Sequence, residues 1–250
     1  IKSFMDKFDK VIIFISCRRH HFTKHETIFS EYDFRFIRIF PFTIQQVNDY
    51  LTTSSIPKDT IDSVLQLLSR RDSDMIIQTP RYLSLLTKYI KEKPDKRIDE
   101  TITRAELFEF FIYRKLDIES EKLSGLEIDY HKDVFKRVLE KLALIMEIYQ
   151  RNELSKDDLI TFFDDIKSNL ALVMQGRIML NLFLKKSVLK DSGDRIEFDN
   201  TEFQEYLAAK EIRRLGKNKR IVFELVVEPK IKEILPSWFN TIQFLIDMDI

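Results

Sequence analysis

Glycine is scarce in this chain, and its scarcity limits the folds that the chain can adopt. Four of the 250 residues are glycine and six are proline, and no glycine precedes Gly125. Hairpin-rich sheets need glycine at the left-handed positions of their turns, so this composition favours helices. Apolar residues make up 44% of the chain, which is enough for sizeable cores. We therefore expect helices to dominate, and the strand-like runs described below make the expectation a mainly α protein with a small α/β portion.

Charge and cysteine content exclude several classes of protein. The 41 basic and 41 acidic residues give a formal net charge of zero, which argues against affinity based on neutralising nucleic-acid phosphates. The single cysteine, Cys17, allows no internal disulfide and no cysteine-based zinc site. No apolar run approaches the roughly 20 residues of a membrane helix. We expect an intracellular, cytoplasmic chain that does not contact a membrane.

Two apolar segments near the N-terminus predict strands of a parallel sheet. Val11–Ile15 is a continuous apolar run, as in a strand buried on both faces. Phe34–Ile39 reads as a second strand, and the separation of about 18 residues suits a crossover connection. The first run ends in Ser16, Cys17 and Arg18, at the edge where open α/β sheets place ligands. Arg18 is therefore either a surface residue or a ligand contact.

Three histidines follow this segment at positions 20, 21 and 25. His21 and His25 would share one face of a helix, a spacing that can bind a metal. Beyond Glu26, no acidic or cysteine ligand is suitably spaced, so we interpret the histidines as solvated loop residues and expect no metal site.

Capping signals mark helix starts in the middle of the chain. Thr43 with Gln46, and Thr103 with Glu106, have the spacing of capping boxes, in which each residue pairs with the backbone of the other. Pro80 fits the first turn of a helix, because its missing N–H would be unpaired there. These signals predict helices that begin near residues 44, 80 and 104.

One β-hairpin is predicted late in the chain. Ser187–Lys190 and Arg195–Phe198 are short strand-like segments on either side of a turn that contains Gly193. Asn200 or Thr201 can then cap a helix whose apolar residues recur at helical spacing. Helices followed by a hairpin are typical of a winged-helix domain.

The residue order after the hairpin is more specific than its periodicity. The sequence Phe-x-x-x-x-Phe-Gln-Glu-Tyr-Leu-Ala-Ala, at 198–209, resembles the end of the winged-helix region in NACHT-type STAND NTPases. These are signal-transducing ATPases of innate immunity and bacterial antiviral defence. The family has a His that contacts the phosphates of ADP, followed two residues later by Ser or Thr; Asn200 and Glu202 occupy these positions here. Asn200 cannot become cationic, so the resemblance implies a weaker or water-mediated link to the β-phosphate.

Three further elements resemble this family in the same order. The apolar run that ends at Arg18 is similar to the sensor-1 element, which implies that Arg18 is a catalytic residue facing the terminal phosphate of ATP. The step at 40–43, Phe-Pro-Phe-Thr, resembles the entry into the family's first helical domain. Pro80, in the pattern apolar-x-x-x-Pro-x-x-Leu-x-Leu-Leu, resembles the proline that packs against adenine. The resemblance thus implies nucleotide contacts from Arg18, Pro80 and Asn200.

The same resemblance implies four parts. Residues 1–41 would be the end of a parallel-sheet nucleotide-binding domain, 42–98 a helical domain, 99–215 a winged-helix domain, and 216–250 the start of a second helical domain. The chain contains no Gly-x-x-x-x-Gly-Lys-Ser/Thr and no apolar strand that ends in Asp-Glu, so Walker A and Walker B are absent. We expect a fragment of a longer ATPase, in which Mg²⁺ is held by residues outside this chain, and no hydrolysis by the fragment alone.

The resemblance implies an oligomerisation switch controlled by ADP and ATP. ADP would hold the nucleotide-binding and winged-helix domains together. Sensing of an unidentified ligand and exchange of ADP for ATP would release the winged helix, permit self-oligomerisation and engage an unidentified effector domain.

Two alternatives stay open. One is a nucleic-acid-binding winged helix, although residues 191–205 carry six acids and one base, which would repel phosphate. The other is an inert helical scaffold in which the motifs are core residues.

Overall fold

A computed structural model describes residues 35–69, 78–96, 98, 102–117, 132–169, 174–215 and 219–248, together with Lys7 and Phe14. The contacts divide the chain into two compact units, residues 1–40 and 41–250. Most of the described residues belong to the second unit, which is mainly helical with a small antiparallel β portion.

The described residues of the second unit form ten α-helices and five short strands. In chain order these are α1 (Ile44–Thr53), α2 (Lys58–Ser69), α3 (Pro80–Glu92), α4 (Arg104–Asp117), α5 (Lys132–Ile148), β1 (Glu153–Ser155), α6 (Lys156–Asn169), α7 (Gly176–Lys185), β2 (Leu189–Asp191), β3 (Arg195–Phe198), α8 (Thr201–Leu215), α9 (Lys219–Val226), β4 (Val227–Glu228), β5 (Glu233–Ile234) and α10 (Phe239–Asp247), with a 3₁₀ turn at Pro236–Trp238 before α10.

The strand predicted at Phe34–Ile39 is wrong for the part that the structure describes. Residues 35–39 have no regular structure, and Ile37 and Ile39 are exposed. Phe14 also lies outside any strand and is exposed. A strand needs a neighbour that pairs with its backbone N–H and C=O groups, and no described strand pairs with either segment. The rest of the run at 11–15 lies outside the described residues.

The smaller of two cores is enclosed by α1, α2 and one face of α3. The predicted capping box begins α1: Thr43 Oγ1 accepts from the Gln46 amide at 3.2 Å, and Gln46 Oε1 accepts from the Thr43 amide at 2.9 Å. The buried residues of this core include Val47, Leu51, Ile61, Val64, Leu83, Leu86 and Tyr89.

The larger core is formed by α4 to α8 and α10, together with the opposite face of α3. Tyr82 and Leu85 of α3 belong to this core, whereas Leu83 and Leu86 belong to the smaller one. Residues three apart share a helix face and adjacent residues do not, so the two pairs separate onto two faces. The helix α3 therefore lies between the two cores, which together fix its orientation.

The predicted hairpin is confirmed, and it is part of a three-stranded sheet. β3 pairs antiparallel with β2 on one side and with β1 on the other. Gly193, at φ +89°, supplies the left-handed conformation that the turn between β2 and β3 requires. Because Phe198 is the last residue of β3, the hairpin directs the chain into α8 after two residues. β1 was not predicted, since three residues are too few to show a period.

A small hairpin precedes the last described helix. Ile231 lies in the turn, and Ile234 in the second strand, of a small antiparallel hairpin made by β4 and β5. Trp238 is 2% exposed and ends the 3₁₀ turn, and α10 then carries Phe244 into the larger core. Pro229 and Pro236 explain why no continuous helix runs through this segment. A proline has no backbone N–H to donate within a helix, and it disfavours the helical conformation of the residue before it.

An aromatic cluster joins four helices in the larger core. The ring of Phe108, on α4, has its centroid 5.6 Å from that of Tyr82, 5.4 Å from Phe203, 5.9 Å from Tyr206 and 5.2 Å from Phe244. These neighbours come from α3, α8 and α10, and all five rings are at most 5% exposed. Phe108 thus fixes the first turn of α3 relative to the first turns of α8.

Within the described residues, no helix combines the length and the apolar character needed to cross a bilayer.

Replacing Phe108 with Ala should lower the free energy of unfolding by about 3–5 kcal/mol, because the cavity would lie where four helices meet. Urea denaturation followed by circular dichroism measures the loss. Phe223→Ala is the matched control: Phe223 is 60% exposed, so its loss should stay within about 0.5 kcal/mol. Equal losses for the two variants would contradict the central position of Phe108.

Candidate functional site

Two of the three predicted site residues lie at the N-termini of helices. Pro80 is the first residue of α3, after Thr79 in an extended conformation. Asn200 directly precedes α8, and its side-chain Oδ1 accepts from the backbone N–H of Glu202 at 2.6 Å. Asn200 rather than Thr201 therefore has the capping role that the sequence left open between them.

Glu202 brings these two helix starts together. Its Oε1 accepts from the Tyr82 hydroxyl at 3.0 Å, and its Oε2 lies 3.3 Å from Nε of Arg81. Arg81 and Tyr82 directly follow Pro80 on α3, and Glu202 is two residues after Asn200. We call Arg81, Tyr82 and Glu202 the Glu202 junction. Pro80 and Asn200 thus flank a single charged contact.

The Glu202 junction is partly shielded from water and packs against aromatic rings. The Arg81 guanidinium lies over the rings of Phe108 and Phe203, 5.7 and 5.3 Å from their centroids. Burial, then the negative charge of Glu202, raises the pKa of Tyr82 above its ordinary value, so this hydroxyl stays a donor at neutral pH. The carboxylate of Glu202 also lies in the first turn of α8, where the helix dipole favours an anion.

Arg18, the third predicted residue, lies outside the described residues, as do His20, His21 and His25. Its expected contact with a terminal phosphate therefore stays a prediction, as does its convergence with Pro80 and Asn200. The part of the chain that the structure describes contains no group of three or more His, Cys, Asp or Glu side chains placed to hold a metal ion.

The motif on which the resemblance rests is almost entirely buried. Gln204 is 1% exposed; its Nε2 donates to Glu147 Oε1 at 2.8 Å and to the Arg151 carbonyl at 3.2 Å. Glu205 accepts from Asn240 Nδ2 at 3.0 Å. The residues Phe203, Tyr206, Leu207, Ala208 and Ala209 are at most 1% exposed. The motif thus holds α8 against α5 and α10, and only its first residues reach the candidate site.

A network of buried charges continues along α8, away from the Glu202 junction. Glu109 of α4 accepts from the Tyr206 hydroxyl and from Nζ of Lys136, and Nζ of Lys210 lies 3.3 Å from it. Burial lowers the pKa of Lys136 and raises that of Glu140. Sequence analysis missed this network, although Lys136, Glu140 and Glu147 recur at helical spacing on the buried side of α5.

A cavity of about 380 Å³ adjoins this network. It is lined by Tyr113, Asp133, Lys136, Arg137, Glu140, Lys210, Arg213 and Arg214. Its cations are paired within the protein: Arg137 Nη1 lies 3.7 Å from Glu211, and Arg214 also pairs with Glu211. Because Lys136, Lys210, Arg137 and Arg214 already have acidic partners, we interpret the cavity as part of a structural ion-pair network.

The chain matches no protein-family model and no curated protein. The resemblance to NACHT modules therefore depends on the motifs in this sequence.

The pKa of Glu147 should make stability depend on pH. Burial raises this pKa from its ordinary value of 4.5 to about 7, against the lowering effect of the Gln204 hydrogen bond. Between these two values the folded state keeps a proton that the unfolded state has lost. The free energy of unfolding should therefore fall by roughly 2–3 kcal/mol as pH rises from about 4.5 to 7.

Glu147→Gln tests this effect, since glutamine does not titrate and its Oε1 can still accept from Gln204. The variant should match the native protein at pH 4.5 and exceed its stability at pH 8, as measured by urea denaturation. Glu153→Gln, at an exposed position on β1, is the control. It should leave the free energy of unfolding unchanged at both pH 4.5 and pH 8. If the free energy of unfolding changed equally between pH 4.5 and pH 8 in the native protein and in Glu147→Gln, the raised pKa could not belong to Glu147.

Proposed function

We propose that this chain is part of a NACHT-type STAND ATPase, an ADP/ATP-controlled oligomerisation switch in defence or stress signalling. In this proposal, adenine lies near Pro80, the β-phosphate near Asn200 and the terminal phosphate near Arg18. The phosphate-binding loop and the Mg²⁺ ligands belong to residues outside this chain, so the parent protein is the ATPase.

The observation that carries the proposal is the pair of contacts made by Glu202. Pro80 and Asn200 are 120 positions apart in the sequence, yet Arg81 and Tyr82, which follow Pro80, contact Glu202, which lies two residues after Asn200. An adenine contact and a phosphate contact must lie within the length of one nucleotide. Two helix N-termini at the same place also supply the positive partial charge that favours phosphate.

Asn200 has a donor left for such a phosphate. Its Oδ1 is used by the Glu202 amide, which leaves the Nδ2 group to donate. Among the described residues, no acceptor pairs with this Nδ2. A neutral amide donor forms a weaker bond to phosphate than a cation would, because charge-assisted bonds are roughly twice as strong as neutral ones.

The position of the hairpin also supports the proposal. Two residues separate the end of β3 from the start of α8, so the sheet and the aromatic cluster together fix where Asn200 lies.

The described part of the wing has few unpaired cations that could bind nucleic acid: Asp191 pairs with Lys156 at 2.8 Å, and Glu197 with Lys190 at 3.3 Å. With its lysines already paired to acids, this surface gives no reason to prefer the nucleic-acid alternative.

Substitutions at Asn200 should change ADP affinity in opposite directions. Asn200→Asp keeps the cap on α8 but places a negative charge beside the β-phosphate, so ADP affinity should fall about tenfold. Asn200→His should raise it, because a histidine can be cationic. Isothermal titration of the full-length protein with ADP measures both changes. Equal affinity in all three proteins would contradict a phosphate contact at Asn200.

Arg18→Ala should reduce ATP-dependent self-association of the full-length protein at least about tenfold, through loss of a charge-assisted contact to the terminal phosphate. Arg19→Ala, a neighbouring arginine outside the sensor-1 pattern, is the control. Sedimentation velocity with and without ATP measures the association. An unchanged ATP response in Arg18→Ala would remove Arg18 from the proposed site.

A further inference from the structure

Glu202 already occupies a position suited to an anion. Its carboxylate meets a guanidinium from Arg81, a hydroxyl from Tyr82, and the positive end of α8. A phosphate group binds to this same set of partners, namely arginine, a neutral hydroxyl and the start of a helix. The protein thus holds one of its own carboxylates where these donors converge.

Arg81 is placed to change partners without moving far. Its Nε, the atom that faces Glu202, is buried and has no hydrogen-bond partner among the described residues, but the Arg81 side chain as a whole is 36% exposed and that of Glu202 is 29% exposed. The rings of Phe108 and Phe203 support the guanidinium from within the core. This support does not depend on Glu202, so Arg81 would keep its position if a phosphate replaced the carboxylate.

Arg104, the neighbouring arginine on α4, has a different role. Its side chain is 9% exposed, its Nε lies 3.5 Å from Asp247, and its guanidinium carbon lies 3.7 Å from the Phe244 ring centroid. Nη2 also donates to the Asn240 carbonyl at 3.4 Å. These contacts bind Arg104 to α10, and Arg104 also interacts with the Tyr82 hydroxyl, whose pKa it lowers. Arg81 has one ion-pair partner among the described residues, and that partner is Glu202.

We propose that Glu202 is a built-in competitor of the nucleotide phosphate: it pairs with Arg81 in the absence of nucleotide and must yield Arg81 when ADP binds. This inference rests on the proposed function, and it adds Arg81 and Glu202 as residues that set nucleotide affinity. The exchange involves no covalent step. Its consequence is a weaker hold on ADP than the same site would have without the carboxylate, which favours release of ADP and exchange for ATP.

A double-mutant cycle on the full-length protein tests the competition. Glu202→Gln keeps the size of the side chain and an acceptor for Tyr82 but removes the charge, and should tighten ADP binding about tenfold. Arg81→Gln should weaken ADP binding about tenfold. In the Arg81→Gln background, Glu202→Gln should change affinity less than about twofold, because the contested partner is gone.

Two controls separate competition from general electrostatics. Glu205→Gln removes the same charge one turn from the site, where the carboxylate contacts Asn240, and should leave ADP affinity within about twofold. Adenosine, which has no phosphate, should bind the native protein and Glu202→Gln equally. Thermal unfolding without nucleotide checks that each variant is folded, and Arg81→Met, which also removes the charge but keeps an apolar stem over the rings of Phe108 and Phe203, replaces Arg81→Gln if the latter is not.

The outcomes distinguish this inference from the function on which it rests. If the native protein binds ADP and Glu202→Gln binds it no more tightly, the competition is overturned while the nucleotide switch stands. The competition would also be overturned if Glu202→Gln raised ADP affinity equally in the native and Arg81→Gln backgrounds, or if it raised the affinity for adenosine as much as that for ADP. If no variant binds ADP, the proposed function fails, and the role of Glu202 fails with it.

Discussion

The contact of the Phe108 ring with four other aromatic rings determines the geometry of the second unit. α3, α8 and α10 each contribute a ring that touches Phe108. Side chains in such a core are packed as densely as an organic crystal, so the helices that carry them cannot shift independently. Tyr82 and Phe203 lie in the first turns of α3 and α8, and their packing fixes where those two helices begin.

The polar contacts of the candidate site follow from this apolar packing. The Tyr82 ring lies in the core and its hydroxyl reaches Glu202; the ring of Phe203 supports Arg81 and lies next to Glu202 in the chain. An exposed ion pair alone contributes at most about 1 kcal/mol to the free energy of unfolding. The Arg81–Glu202 pair is therefore better understood as a consequence of the core than as a cause of the fold.

Sequence patterns predicted the parts of this unit that depend on local chemistry. The capping box at Thr43, the helix start at Pro80 and the hairpin around Gly193 are all confirmed, because each depends on residues within a few positions. The predicted strand at residues 35–39 is wrong, since a strand depends on a partner that its own sequence does not specify. β1 was missed because its three residues are too few to show a period.

The candidate site was only partly predictable for a related reason. Pro80 and Asn200 were selected by motif, and the cap at Asn200 by its residue type. The contacts of Glu202 with Arg81 and Tyr82 join residues about 120 positions apart, and no periodicity relates such positions. The partly buried Glu109 and the buried Glu147 were missed too, because their partners on α8 are distant in sequence.

The central claim is that the first turns of α3 and α8 contact one nucleotide. Hydrogen exchange of the full-length protein, followed by mass spectrometry with and without Mg²⁺ and ADP, tests it most directly. The account predicts slower exchange on ADP binding in peptides that contain residues 81–83 and in those that contain 201–204. ADP binding that leaves exchange in both segments unchanged would contradict the claim.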